Sequence, residues 1–348
     1  MKEFERNIRV AISPICNMNC IYCIGDNRSI YSRRMAAMED IRNTPLSEGC
    51  ISTEQLLDIL SVFRRVGFNG ISLTGGEPMI NQDWDSIIDA AANMGFKRRE
   101  ITTNGLLLGK YCDEHGKLPK LTTIKVSFDT ADKNNFDKIT GGKNFDRVVE
   151  SVHIARKYID NIRANRVMLR DQMEDLEDYL DFCYNNGFTS ANLMELYAYP
   201  DDNWDDEERK FFEKHFVSYK ETCEALKKLG IIDENRHRYG HSMKLSNGFT
   251  ILATDSKYTI RDLECKKCKV FCQQGKFTVR IATDGTITMC PNFNGNLYSI
   301  DGISSLINGT LEEKIKPMYE SLAYNQEENV FNNFLKKYDI DLKKNFEL

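Results

Sequence analysis

The sequence has 348 residues, of which 41% are hydrophobic and 28% are charged, and its formal net charge is −5. This is the composition of an ordinary globular protein, and the length suffices for one large domain plus a smaller one. The negative charge argues against a nucleic-acid polymer or an anionic membrane surface as partner. The start, MKEFERNIRV, lacks the apolar core of a secretion signal, and no apolar run reaches about 18 residues. We therefore expect a cytoplasmic protein with no membrane partner.

Strands and helices alternate along the first part of the sequence. Ser52 and Gln55 form a capping box at the start of a helix that ends at Gly67. Apolar residues at helical spacing predict three further helices, over residues 83–94, 145–158 and 173–187. The predicted strands are 8–13, 70–74, 99–103, 122–128, 162–169 and 190–196.

The order of these elements predicts the fold class. The six strands lie too far apart in sequence for hairpins, which indicates a parallel sheet with right-handed crossovers. We therefore expect an α/β fold, with a partial (β/α)6 TIM-like barrel over residues 1–228. In such barrels the chemistry lies at the C-terminal ends of the strands.

The remaining residues, 229–348, break this alternation and predict a small C-terminal domain made of a β-hairpin and helices. Between the two parts, residues 204–228 read as one long charged helix. In the second part, FTVRIATDGTITMC reads as a hairpin with Asp284 and Gly285 at its turn.

The eleven cysteines are unevenly spread. In a cytoplasmic protein they indicate metal ligands, catalytic thiols or buried residues rather than disulfides. One cluster is Cys16, Cys20 and Cys23, and a second is Cys265, Cys268, Cys272 and Cys290. We interpret the isolated cysteines as core residues, since unpaired Cys is commonly buried; they are Cys50, Cys112, Cys183 and Cys223.

The first cluster offers three thiolates in a short loop after the first predicted strand. Structural zinc usually takes four ligands, whereas iron–sulfur clusters are held by thiolates. Three protein thiolates on a four-iron cluster would leave one iron open for a substrate or cofactor. Zinc, or chance spacing, is the alternative.

The spacing Cys16-x3-Cys20-x2-Cys23, with Tyr22 before the third cysteine, resembles the signature of the radical S-adenosylmethionine (radical SAM) enzymes. The stretch LTGGEP, with Gly75, Gly76, Glu77 and Pro78, resembles the element that binds the methionine amino group of SAM in that superfamily. The resemblance implies a [4Fe–4S] cluster at the SAM site. It also implies reductive cleavage of SAM to a 5′-deoxyadenosyl radical that abstracts a hydrogen atom from a substrate C–H bond.

Several segments, among them ITTNGLLL and IKVSFDTADKNNFDKITG, are similar in order to the GTP 3′,8-cyclase family. This similarity implies that Thr103, Ser127 and Asn165 contact SAM. The alternative for each of these residues is capping or hydrogen bonding at a strand end.

The second cluster resembles the auxiliary-cluster domain of SPASM and twitch radical SAM enzymes. The resemblance implies an auxiliary [4Fe–4S] cluster held by Cys265, Cys268, Cys272 and Cys290. With all four as ligands it suits electron transfer, and with three its open iron could bind substrate. A structural zinc site is the alternative.

The sequence departs from the GTP cyclases where these carry basic residues around the triphosphate. Ile15, Gly70, Ser72 and Thr278 stand at four such positions, while Arg280 is retained. A triphosphate needs several charge-assisted contacts, which argues against GTP as the substrate. Arg163 occupies a basic position in the barrel and either meets an anionic group or lies on the surface.

We therefore expect a radical SAM enzyme that modifies a peptide by cross-linking, cyclisation, epimerisation or oxidation. The same chemistry on a nucleotide or sugar is the close alternative, because the sequence leaves no room for an N-terminal leader-binding domain. An electron donor such as flavodoxin or ferredoxin is implied, and no catalytic acid, base or radical-quenching residue is identified. A non-catalytic zinc protein is the rival from another class, and it leaves LTGGEP unexplained.

Overall fold

The computed structural model describes residues 6–21, 23, 50–198, 206–237, 240–254, 273, 278–288, 299–320, 333, 335–337 and 339–342. The strands are β1 (Asn7–Ala11), β2 (Gly70–Thr74), β3 (Arg98–Thr103), β4 (Thr123–Ser127), β5 (Ile162–Met168), β6 (Ser190–Glu195), β7 (Ile231–His237), β8 (Gly240–Leu245), β9 (Thr250–Thr254), β10 (Thr278–Ile281), β11 (Thr286–Thr288) and β12 (Ser299–Asp301). The described residues form one 12-stranded sheet in the order β12-β11-β10-β1-β2-β3-β4-β5-β6-β9-β8-β7.

Strands β1 to β6 lie side by side in chain order and run parallel. Because right-handed crossovers that always advance in one direction put every helix on the same face, the sheet curls with its helices outside. The described sheet is not closed, which confirms the predicted partial barrel. The α-helices of the described ranges are α1 (Thr53–Val66), α2 (Trp84–Asn93), α3 (Leu108–His115), α4 (Lys133–Thr140), α5 (Phe145–Ala155), α6 (Leu176–Asn185), α7 (Asp206–His215), α8 (Tyr219–Leu226), α9 (Gly302–Ile307) and α10 (Leu311–Glu320).

The side of the barrel sheet that faces the helices is mainly apolar, and Arg166 of β5 is a fully buried exception that stacks over the Tyr179 ring. Ile124 and Val126 of β4, like Ile162 and Ala164 of β5, are fully buried in one core with the helices. Helix α1 shows how the helices meet this face: its capping box at Ser52 forms as predicted, and its apolar stripe is buried. Burial of this continuous apolar layer stabilises the fold.

The opposite side, which faces the barrel interior, is polar. Closed TIM barrels fill this space with bulky branched side chains, so the polar lining distinguishes this interior from such an apolar packed core. The alternation is regular along β4 and β5, where every second residue is only half-buried. Residues of β1 to β6 that share this inner face by register are Asn7, Arg9, Ser72, Thr74, Glu100, Thr102, Thr123, Lys125, Ser127, Arg163, Asn165, Ser190 and Asn192.

The residues beyond the barrel extend the same sheet at both edges. Strand β9 pairs in parallel with β6 and carries the antiparallel strands β8 and β7. At the other edge β10 pairs in parallel with β1, and β10 and β11 form the hairpin predicted around Asp284 and Gly285. The strands at both edges are continuous with the barrel sheet, so the sheet shows no break at residue 228. The domain boundary at this residue remains a prediction.

The prediction of one long helix over residues 204–228 is wrong for the described residues 206–228. Helix α7 ends at His215, and Phe216 forms an isolated bridge with Leu169. A second capping box, in which Ser218 and Glu221 exchange hydrogen bonds, then starts α8. Two helices therefore replace one because Ser218 caps a new N-terminus.

Three of the four isolated cysteines are buried as predicted for core residues, and Cys50 is not. Cys112, Cys183 and Cys223 are buried, and Cys50 is half-buried. None of the helices in the described ranges combines the length and the apolarity needed to cross a lipid bilayer.

Candidate functional site

The glycine-rich loop after β2 lies directly on the start of the cysteine loop after β1. The N–H group of Gly76 donates to the Ser13 carbonyl at 2.7 Å, and that of Glu77 donates to the Ile15 carbonyl at 2.7 Å. A Cβ atom at Gly75, where φ is +133°, would lie 2.3 Å from the Ser13 carbonyl oxygen, and one at Gly76 would lie 2.2 Å from that of Ile15. Glycine is therefore required at both positions, because the two backbones approach each other so closely.

The far side of the cysteine loop is held by helix α4. The N–H groups of Asn19 and Ile21 donate to the carbonyl groups of the last two residues of α4, at 3.1 and 3.0 Å. Cys16 and Cys20 are half-buried in this loop, and Cys23 is exposed. The loop is thus fixed to two different βα units before any metal binds.

Burial raises the pKa of two of the three thiols. Burial, followed by the nearby Glu77 charge, raises the pKa of the Cys16 thiol to about 12, and burial followed by the charge of Asp129 raises the pKa of Cys20 still more. Such thiols stay protonated at neutral pH until a metal displaces the proton.

The three thiols of the loop influence one another, although they are not arranged around a single point. Cys16, Cys20 and Cys23 interact with one another electrostatically. Within the described residues, however, no three His, Cys, Asp or Glu side chains converge on one metal ion.

Glu77 ties the glycine-rich loop to the end of β3. Its carboxylate is 1% exposed; Oε1 accepts from the Thr103 hydroxyl at 2.7 Å and the Met79 N–H at 3.0 Å, and Oε2 accepts from the Asn104 N–H at 2.7 Å. Burial raises the pKa of Glu77 to about 7, and these three donors oppose the rise. The carboxylate and the Thr103 hydroxyl are therefore engaged inside the protein, and contact of either with SAM stays a prediction.

Asn104 is a site residue that the sequence analysis missed. Its Nδ2 atom lies 2.6 Å from Asn17 Oδ1 and 3.8 Å from Cys16 Sγ, so the side chain joins β3 to the cysteine loop. The sequence signal available here is the Asn-Gly pair directly after a predicted strand. In the structure Gly105 has a φ of +83°. That signal indicates a turn but not what the Asn side chain contacts.

Two further predicted SAM contacts lie together on the inner face of the barrel. Ser127 at the end of β4 pairs in register with Asn165 of β5. The Oδ1 atom of Asn165 is buried and has no hydrogen-bond partner among the described residues. A buried acceptor left unsatisfied is costly, so this atom is placed to receive a donor from a bound ligand. Pro78 lies apart from this pair and begins a one-turn 3₁₀ helix, Pro78–Ile80.

The second cysteine cluster and Tyr22 lie outside the described residues, so Cys265, Cys268, Cys272 and Cys290 remain predictions. One residue beside them is described. Gln273 is buried, and its amide accepts from the Ala198 N–H at 2.7 Å and donates to the Leu196 carbonyl at 3.0 Å. The chain directly after Cys272 is therefore anchored just beyond the C-terminal end of β6.

The N-terminal half of the barrel interior is strongly charged. Glu100 is 4% exposed and binds Lys125 Nζ at 2.6 Å and Arg98 Nε at 3.3 Å. Burial opposes ionisation of Glu100, but Lys125, Arg98 and then Arg163 outweigh it and hold its pKa below the usual range. Arg163 lies directly beside Lys125 in register, and its Nε donates to Ser190 Oγ at 3.2 Å. Three cations thus surround one carboxylate.

Comparison with known families decides what this arrangement is. The model of the radical SAM superfamily matches residues 10–183, half of the 348-residue chain. The chain belongs to the radical SAM superfamily. It is accordingly an enzyme, and the matched region holds the end of β1, the cysteine loop, the glycine-rich loop and β2 to β5.

Relatives of this radical SAM enzyme extend over most of its length. It is 24% identical over 311 residues to a probable GTP 3′,8-cyclase of Saccharolobus islandicus, which covers 89% of each chain. It is 26% identical over 318 residues to the probable GTP 3′,8-cyclase of Thermococcus kodakarensis, which covers 90% of this chain and 93% of the relative.

Solved structures share its fold. SuiB of Streptococcus suis bound to its precursor peptide SuiA superposes with a TM-score of 0.55 at 17% identity, over 90% of this chain and 67% of that chain. The enzyme anSMEcpe with bound AdoMet and a peptide superposes with a TM-score of 0.55 at 13% identity, over 98% and 99% of the two chains. At these identities the likeness concerns the fold alone.

The site of this radical SAM enzyme fits the cofactors of its superfamily. Cys16, Cys20 and Cys23 would hold the [4Fe–4S] cluster, and the orphan Asn165 Oδ1 beside Ser127 offers an acceptor to SAM. When bound, the two cofactors supply one-electron cleavage of SAM and a hydrogen-abstracting radical. The residues of this chain would hold and orient them.

Proposed function

We propose that this enzyme abstracts a hydrogen atom from a substrate whose anionic group is held in the N-terminal half of the barrel interior. The observation that carries the proposal is the excess positive charge there. Lys125 and Arg163 stand side by side beyond the single carboxylate of Glu100. In a chain whose formal net charge is −5, an inward-facing cationic cluster is a local feature that favours an anionic ligand.

The charge extends along the inner face towards the C-terminal hairpin. Arg9 of β1 lies directly opposite Arg280 of β10 in parallel register. Neither arginine has an acidic partner within hydrogen-bonding distance among the described residues, and Arg9 donates only to Thr74 Oγ1 at 3.3 Å. Like charges placed directly across two strands repel each other, so an anion between them would stabilise the pair.

A small anionic molecule, such as a nucleotide or sugar phosphate, is the substrate class that this charge favours. The relatives named GTP 3′,8-cyclase act on a nucleotide and match this chain over 89% of its length. The substituted basic positions, among them Ile15 and Ser72, still argue against GTP itself.

A peptide is the second candidate. The structural neighbours SuiB and anSMEcpe, which bind peptides, superpose on 90% and 98% of this chain. An acidic side chain or a C-terminal carboxylate could reach Arg163 in the same way. We further propose an auxiliary [4Fe–4S] cluster on the second set of cysteines and a low-potential donor, flavodoxin or ferredoxin.

The test is anaerobic reaction of the reconstituted enzyme with SAM, a strong reductant and panels of nucleotides, sugar phosphates and acidic peptides. Substrate is recognised by stimulated 5′-deoxyadenosine formation. In Arg163→Gln the KM for that substrate should rise about 10- to 100-fold, because one charge-assisted hydrogen bond is worth about 1.5–3 kcal/mol. Arg65→Gln removes an exposed cation on α1 and serves as the matched control.

Each outcome bears on a different part of the proposal. An unchanged KM in Arg163→Gln would refute the anion site while leaving the radical chemistry intact. Stimulation only by neutral substrates would refute the anionic substrate class. Stimulation by acidic peptides alone would replace the small molecule by the second candidate.

A further inference from the structure

The side chain of Asn104 lies between the end of β3 and the first cysteine. We propose that Asn104 is a positioning residue for the first iron–sulfur cluster, whose amide N–H group donates to the Cys16 sulfur and raises the reduction potential of the cluster. The proposal concerns the cluster alone and does not depend on the substrate class proposed above.

The hydrogen bonds fix which end of the amide faces the cysteine. Asn104 Oδ1 accepts from the Leu106 N–H at 3.0 Å, so the NH₂ group must point the other way. That group has two hydrogens and two neighbours, Asn17 Oδ1 at 2.6 Å and Cys16 Sγ at 3.8 Å. Both hydrogens of the NH₂ group then face an acceptor.

The position of Asn104 is fixed by its backbone as well. Its N–H group donates to the buried Glu77 carboxylate at 2.7 Å. Asn104 is only 7% exposed, so water competes little for its amide group. Cys16 Sγ also accepts from the Met18 backbone N–H at 3.4 Å, but that donor lies within the cysteine loop itself. Asn104 therefore donates to this sulfur from outside the cysteine loop, at the end of β3.

A donor at this sulfur has a predictable electronic effect. Reduction adds negative charge that is shared between iron and sulfur, and hydrogen bonds to the sulfur atoms are one of the features that set the potential. A donor therefore favours the reduced state. In a site shielded from water this effect is larger than it would be in solution.

The experiment compares Asn104→Ala with Asn81→Ala in the reconstituted enzyme. Asn81 is also 7% exposed, its Oδ1 also accepts from the N–H two residues on, and its Nδ2 donates to the Ile12 carbonyl rather than approaching a sulfur. The readout is an EPR-monitored redox titration. The first cluster is recognised as the one whose spectrum changes when SAM is added.

We expect Asn104→Ala to lower the ratio of reduced to oxidised first cluster about three- to tenfold at a fixed applied potential. For a one-electron couple this is a downward shift of about 30–60 mV. Iron content should stay at the wild-type value, and Asn81→Ala should leave the potential unchanged. A wild-type potential in Asn104→Ala, or an equal shift in both variants, would overturn the proposal.

If the Asn104→Ala variant does not retain iron, Asn104→Ser is used in its place. Its hydroxyl can still accept from the Leu106 N–H but is too short to reach Cys16, so the same downward shift is expected. If the serine variant also loses iron while Asn81→Ala retains it, Asn104 only holds the loop together. That result would overturn the claim that its hydrogen bond sets the potential.

Discussion

The two halves of the barrel interior are built from different chemistry. Near the C-terminal ends of the strands, the buried Glu77 carboxylate accepts three hydrogen bonds from the protein. Near the N-terminal ends, three cations share the one carboxylate of Glu100. The Glu77 carboxylate is satisfied by the protein itself. The N-terminal half carries more cations than carboxylates, and we propose that an anionic ligand completes it.

The C-terminal half is tested most severely by Gly75→Ala. The new Cβ atom would lie 2.3 Å from the Ser13 carbonyl oxygen, which is backbone and cannot rotate away. Strain at φ +133° and overpacking together should lower the free energy of unfolding by about 3–5 kcal/mol. Anaerobic urea denaturation and iron content would measure this.

The matched control is Gly116→Ala. Gly116 also has a positive φ, +62°, but a Cβ atom there meets nothing within 4 Å. Gly116→Ala should lower the free energy of unfolding by only about 1–2 kcal/mol. Equal losses in the two variants would mean that the contact between the glycine-rich and cysteine loops contributes nothing.

The charged half is tested by Glu100→Gln. The substitution leaves Lys125 and Arg98 without their carboxylate, and breaking a buried ion pair costs about 3–5 kcal/mol. The folded pKa of Glu100 is lowered, so its contribution is complete above the unfolded pKa of about 4.3 and is lost as the pH falls through the folded value. The difference from wild type should therefore shrink below about pH 4.

Urea denaturation of the wild type and of Glu100→Gln between about pH 7 and pH 3 measures how the difference in their free energies of unfolding depends on pH. A double variant, Glu100→Gln with Lys125→Met, removes the orphaned cation and should recover part of the loss. A difference that stays constant down to pH 3 would show that Glu100 acts by packing rather than by charge.

The smallest expected effect is that of Thr103→Val. The valine removes one donor to the Glu77 carboxylate and the acceptor for the Gly105 N–H, so we expect a loss of about 2 kcal/mol. Thr102→Val is the control in the same strand, since the Thr102 side chain makes no hydrogen bond among the described residues. Equal denaturation midpoints for the two variants would show that the network around Glu77 tolerates a missing donor.

Much of the barrel could be predicted because periodicity is a local property. The strand over residues 70–74 was predicted with its exact bounds, and the helix that starts after Ser52 was predicted with its cap. The prediction of one long helix over residues 204–228 was wrong because charged residues continue through this whole stretch. Ser218 and Glu221 nevertheless carried the capping-box signal for the start of a second helix. Strands β7 and β8 were missed because polar residues such as those of β7 show no apolar alternation.

The site was less predictable, because its key contacts are distant in sequence. The motifs indicated Cys16 and Glu77, but the hydrogen bond between Glu77 and Thr103 spans 26 residues and the approach of Asn104 to Cys16 spans 88. The charge cluster likewise depends on strand register, which no local pattern fixes. The sequence therefore identifies the chemical groups, whereas the strand register of the sheet determines which of them come into contact.

The pairing of β1 with β10 has a consequence for biosynthesis. Asn7 and Thr278 are neighbours in this pair, so the edge of the strand that leads into the cysteine loop is covered only by residues made 271 positions later. At about 5–20 residues per second, a ribosome needs roughly 15–55 s to supply them. During this interval that edge of β1 lacks its partner strand, so the sheet is completed beside the cysteine loop only after most of the chain has been made.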